Sequence, residues 1–143
     1  MRGRSPLVLM EQVIMLAVFA LAAALCLRVF VLSDQLSRQG EIRDQALLQA
    51  QSAAEVYRHC QGQGDQAVEL AGGSWDGTSW TLLWDESWQP VEQADQAEYR
   101  LTVTPEDSGN ELLGRAQVTV TQTGETEPVC TLPLAWQEVT DHG

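Results

Sequence analysis

Few side chains in this chain are equipped for chemistry. The two histidines, His59 and His142, stand far apart, one in helix-forming sequence and one at the C-terminus. No G-x-S-x-G, H-E-x-x-H or phosphate-binding glycine loop occurs, so nucleophilic, zinc-hydrolytic and phosphoryl-transfer chemistry lack their constellations. The expectation is a protein that is not an enzyme, with no catalytic residues, no metal and no cofactor. Asp76, Asp85 and Glu86, or Asp107 with Asn110 and Glu111, bear oxygen ligands without the regular spacing of a calcium loop, so they read as solvated turns. Cys26 lies in an apolar run and reads as a small buried side chain. Cys60 and Cys130 are the disulfide candidate, because both fall in the polar part of the chain. Four of the five tryptophans lie between Trp75 and Trp88. Trp80 and Trp84 share the parity of Leu82 and read as core. Trp75 and Trp88 are left as the possible partner surface. The remaining outlier is Glu11, a carboxylate inside an apolar run.

Charge narrows the partners. Eight basic residues, all arginine, face twenty acidic ones in 143 residues, a net of −12. Such a chain repels phosphates, so no nucleic-acid partner is expected. A hydrophobic share of 44% argues against disorder. The charge is unevenly spread. Residues 1–59 hold six arginines and five acids, a net of +1, and residues 60–143 hold two arginines and fifteen acids, a net of −13.

The elements that carry these residues differ as sharply. Leu7–Leu32 is apolar apart from Glu11, Gln12 and Arg28. As a helix it spans about 39 Å, enough for a hydrocarbon core of about 30 Å. Arg2 and Arg4 precede it, which places the N-terminus in the cytoplasm and residues 33–143 outside, in a single-pass cell-membrane protein. The run is too long for a signal-peptide core and lacks a small-x-small site at its polar end, so an uncleaved anchor is expected. Arg28, near the outer end, can snorkel to the headgroups. From Ser33 to about Tyr57 there is no proline. Leu32, Leu36, Ala46, Ala50, Ala53 and Tyr57 recur at three- and four-residue steps as an apolar stripe, with Leu47, Ala54 and Val56 beside them. Leu36, Leu47, Ala50, Ala54 and Tyr57 are expected among the residues that cover the sheet. One continuous helix from about Pro6 to about Tyr57 follows, with Gly40 its weakest point.

Beyond Gly64 the period becomes two. Ser79–Trp84, Glu98–Thr104, Leu113–Thr121 and Val129–Val139 alternate, with turns at Asp85-Glu86-Ser87, Asp107–Asn110 and Gly124. Pro128 and Pro133 make the last strand an edge. The fold class is α+β: a long N-terminal helix, membrane-spanning in its first half, packed on a four-stranded antiparallel sheet. Leu82, Leu101, Val103, Val118 and Leu134 should face the helix. The layout reads as a basic leader over 1–6, a transmembrane half over 7–32, an amphipathic half over 33–60, a loop over 61–78 and the sheet domain over 79–143.

This arrangement resembles the type IV pilins and the pseudopilins of type II secretion and competence systems. The specific match is Leu7-Val8-Leu9-Met10-Glu11, where the family has an apolar first mature residue and Glu at position five. The resemblance implies a prepilin peptidase as processing partner, cutting between Pro6 and Leu7. The family has Gly where this chain has Pro6, an apolar residue where it has Gln12, and a helix-bending proline that it lacks. The resemblance also implies that Glu11 meets the freed amino terminus of a neighbouring subunit. A carboxylate at mid-membrane costs about 2.5–3.5 kcal/mol and calls for such a partner. The expected function is a minor structural subunit of a pilus-like or pseudopilus-like filament, its partners being membrane lipid and other pilin-like subunits. The alternative is a single-pass anchor for a small extracytoplasmic ligand- or partner-binding domain.

Overall fold

The computed structural model describes residues 5–138. Arg2 and Arg4, His142 and the end of the expected last strand at Val139 lie outside them. Helix α1 runs unbroken from Ser5 to His59. The chain divides into two compact units between Glu41 and Ile42.

The first unit is helix alone. Its 18-residue window of highest mean hydropathy reaches 2.6, and none of that window is buried. Large apolar side chains from Leu7 to Leu32 are all exposed on every side of the helix. A helix apolar all round suits an apolar surrounding. Pro6 sits in the first turn, where its missing N–H leaves no intrahelical bond unmade. Arg38 and Asp34 form an exposed i,i+4 pair at 3.4 Å, of the kind that contributes about 0.3–0.5 kcal/mol.

The second unit has a five-stranded antiparallel meander in the order β1-β2-β3-β4-β5. The strands are β1 (Ser74–Trp75), β2 (Trp80–Trp84), β3 (Tyr99–Glu106), β4 (Leu113–Gln122) and β5 (Cys130–Gln137). Four strands were expected, and the fifth is β1. It lies in the segment 61–78 that reads as loop, as does a second helix, α2 (Gly64–Ala71). Both are too short for periodicity to declare them. Gly72 and Gly73 stop α2 with φ of 81° and 87°, a backbone region open to glycine. Trp88–Val91 follows its turn without forming a strand; Trp84 and Pro90 make one isolated bridge.

The alternation reading places the core correctly. Leu101, Val103, Ala116, Val118, Val120, Leu134 and Trp136 are buried. Leu82 is only half-buried, because Trp80 and Trp84 flank it and fill that level of the face. β5 is an edge, as its prolines require. The helix stripe holds at its alanines and Tyr57 and is corrected at its leucines. Leu36 is 61% exposed and Leu47 40%, whereas Ala46 and Ala50 are fully buried with Ala53, Ala54 and Tyr57. Positions 46, 50, 53 and 57 follow the i, i+4, i+7 line. Alanine there lets the helix approach a sheet face already filled by tryptophans. The core is therefore small residues on the helix against large ones on the strands, which interlock better than large against large.

Candidate functional site

Glu11 stands on the fully exposed apolar helix, among Leu7, Val8, Met10, Ile14 and Met15. A helix brings residues 7, 8, 14 and 15 to the same face as 11, so the carboxylate is ringed by apolar side chains. The Pro6–Leu7 bond lies within the first turn of α1. Among the described residues, no cation forms an ion pair with Glu11.

In the second unit the other candidates separate. Cys60 and Cys130 are both free thiols. The guanidinium of Arg43 acts on Cys130, while Trp136, further along β5, rests against Gly62 and Tyr57. β5 thus runs alongside α1 in the same direction. Its Cys130 end lies six residues, about 20 Å of strand, from Trp136, the end that meets the terminus of α1 near Cys60. A disulfide needs Cα atoms within about 7 Å. The expected pair is corrected on that ground: the strand ends that approach are the wrong ones. Burial pushes both thiols up. Asp65 adds to the effect at Cys60, and Arg43 opposes it at Cys130.

Trp75 and Trp88 do not form one surface. Trp75 pairs with Trp80 at the start of β2 and lies on Gly64, where a Cβ would come within 2.0 Å of its ring. Trp88 belongs to the other end of β2. Its ring stacks on Tyr99 at 4.0 Å and 6°, and tilts against Trp84 at 5.8 Å. It does so with φ of 60°, rare for a bulky residue and held by the stacking. Both indoles are half-buried packing elements. Tyr99 is raised in pKa by burial and by Glu98 and Glu86.

No family model, curated protein or solved structure matches the chain. The chemistry must be read from the geometry itself.

A cleft of about 700 Å³ opens between α1 and the start of the sheet, lined chiefly by Ala53, Val56, Gly72, Leu82, Trp84 and Val91. It exists because β1 is two residues long and leaves the rest of β2 uncovered, and because alanine on α1 does not fill the gap. Trp80 closes one wall by donating its indole N–H to the Gly72 carbonyl at 2.9 Å. Sequence reading missed this cleft. Its one visible signal was the Gly72-Gly73 pair: a Cβ on Gly73 would lie 2.3 Å from the Thr81 carbonyl oxygen.

A second feature is the contact of Tyr57 and Trp136, whose rings meet edge-on at 5.4 Å. The Tyr57 hydroxyl and the Trp136 indole N–H are buried without a hydrogen-bond partner among the described residues. Burial raises the Tyr57 pKa. Among the described residues, no group of three His, Cys, Asp or Glu side chains is placed to hold a metal.

The turn residues are ordered by Asp76. Its carboxylate accepts from the backbone N–H groups of Thr78 and Ser79, each at 2.8 Å, and from both hydroxyls. These bonds hold its pKa down at about 2. The role is structural: the turn sets the hairpin between β1 and β2.

Proposed function

We propose that this chain is a non-catalytic structural subunit of a type IV pilus-like or type II pseudopilus-like assembly. It is anchored in the cell membrane and assembled through α1, with its sheet domain outside the cytoplasm. The observation that carries the reading is the helix itself. A 55-residue helix is about five times the usual globular length. Its first half is apolar on every side and carries a single carboxylate, Glu11, one turn in from Leu7. A plain anchor has no use for that carboxylate, whereas an assembling helix can pair it with the amine of a neighbour in a low dielectric and so set axial register.

Two measurements test it. N-terminal sequencing of the membrane-extracted protein should return Leu7 as the first residue. Glu11→Ala should leave insertion and the fold of the sheet domain intact and abolish incorporation into any filament. An intact Arg4-Ser5-Pro6 terminus together with wild-type incorporation of Glu11→Ala would reject the reading. The cleft beside β2, with its mixed lining of apolar side chains and of Gln49, Ser52, Thr81 and Glu92, supports the alternative, an anchored binding domain, since pockets of this size suit small ligands.

A further inference from the structure

The sheet domain segregates its charge by face. Residues 42–138 hold four arginines and sixteen carboxylates, 4 − 16 = −12. Fifteen of those carboxylates lie in helices, turns and loops, and the strands contain one, Glu106. Two of the four arginines, Arg100 and Arg115, are strand residues, and both are exposed on the sheet face turned away from the core.

The same face carries a row of hydroxyls across all five strands. Ser74 pairs with Thr81, Thr81 with Thr102, Thr102 with Thr119, and Thr119 with Thr131. Directly opposed residues stand about 4.5–5.5 Å apart, so the row is a continuous strip of donors and acceptors. Arg100 lies one step along this face from Thr102 on β3, and Arg115 sits opposite Glu106 on β4. The helix-covered side and the loops are thus rich in carboxylates, and the outer sheet face is a hydroxyl-lined, net-positive plate.

We infer that this plate is the docking face for a second copy of the chain, which presents its carboxylate-rich loops to it. Two bodies each carrying −12 repel at most orientations, and like-charge juxtaposition costs several kcal/mol. The outer sheet face is where an acidic neighbour meets two arginines and a row of hydroxyls with one carboxylate, Glu106, beside Arg115, so that its charge is 2 − 1 = +1. The contact joins two different patches, so it is heterologous. Repetition of such a contact gives an open array and not a closed dimer.

Size limits its strength. The strands hold 2, 5, 8, 10 and 8 residues, and at about 3.3 Å along and about 4.8 Å across per residue they cover roughly 500 Å². A stable interface uses about 800 Å² per partner. The plate therefore acts only on copies already brought together by the helix, where tethering raises the effective concentration. In that respect it rests on the assembly proposed above.

The test uses the full chain in phosphatidylcholine vesicles, with donor- and acceptor-labelled copies mixed and energy transfer read as association. Arg100→Gln with Arg115→Gln should lower association about tenfold, the loss expected for removing a charge-complementary contact, while tryptophan fluorescence stays native. Arg100→Lys with Arg115→Lys should keep most of it. Glu11→Ala runs in parallel as the helix control. Wild-type association in the glutamine pair, with loss in Glu11→Ala, overturns the docking face and leaves the helix reading standing. Loss in the glutamine pair with wild-type behaviour of Glu11→Ala upholds the docking face and removes the helix reading. Absence of energy transfer between wild-type copies overturns both.

Discussion

The two halves of α1 share one backbone conformation and have opposite relations to burial. Val13, Leu16, Phe19 and Phe30 are each more than half exposed, although they are among the most apolar residues of the chain. Ala46, Ala50 and Tyr57, less apolar as a group, are fully buried. Hydrophobicity says how much a side chain gains by leaving water, and a complementary surface decides whether it does so within the chain. In the second unit that surface is the inner face of β2–β5. In the first unit the described residues supply none, so the apolar area is left for lipid or other helices.

The largest expected break in this comparison is Val118→Asp. Val118 is fully buried at the middle of the sheet, and among the described residues no charged side chain is buried with it to pair with a carboxylate. An unpaired buried charge costs more than about 4 kcal/mol, a large share of a domain's stability. The sheet domain should lose its protease resistance and shift its tryptophan emission to the red. A native-like protease pattern would show that the inward parity is wrong.

Val18→Asp is the mirror experiment in the first unit. It should weaken membrane insertion by about 2.5–3.5 kcal/mol and leave the melting temperature of the sheet domain unchanged. Membrane fractionation and a thermal melt read the two effects separately. A lowered melting temperature would mean that the first unit supports the second, against the comparison.

Gly114→Ala probes packing more finely. A Cβ there would sit 2.1 Å from the Trp136 ring. Overpacking of this kind costs about 1–3 kcal/mol, which lowers the melting temperature of a domain near 100 residues by about 4–8 °C per kcal/mol. An unchanged melt would show that the indole has room to move.

The smallest effect is electrostatic and confined to one turn. Asp76 is held near pKa 2 in the folded chain, against about 3.9 unfolded. A lowered folded pKa favours the folded state above the unfolded value, and that contribution is lost as pH falls through about 2. Asp76→Asn should remove this part of the acid dependence and leave stability near neutral pH little altered, because the group is fully exposed and screened. A titration of Asp76 by NMR with a midpoint near 4 would contradict the hydrogen bonding of the turn.

Much was legible in the order of residues alone. The absence of proline between Pro6 and Pro90 and the three- and four-residue spacing are local properties, and they specified α1 to within two residues at each end. Strict alternation specified β3 and β4 and their inward residues, because side-chain direction in a strand has a period of two, and Pro128 and Pro133 specified the edge position of β5. Only the tertiary structure decided the rest. β1 and α2 are too short to announce themselves and exist through Trp75 on Gly64 and the hairpin built by Asp76. That the alanines of the stripe are buried while Leu36 and Leu47 stay exposed depended on how much space the tryptophans of the sheet left. Cys60 and Cys130 were kept apart by the direction in which β5 runs along the helix, a property of topology that spacing does not encode. The hydroxyl row from Ser74 to Thr131 likewise needed the strand registers, since five residues scattered over 58 positions become neighbours only when the ladders align them.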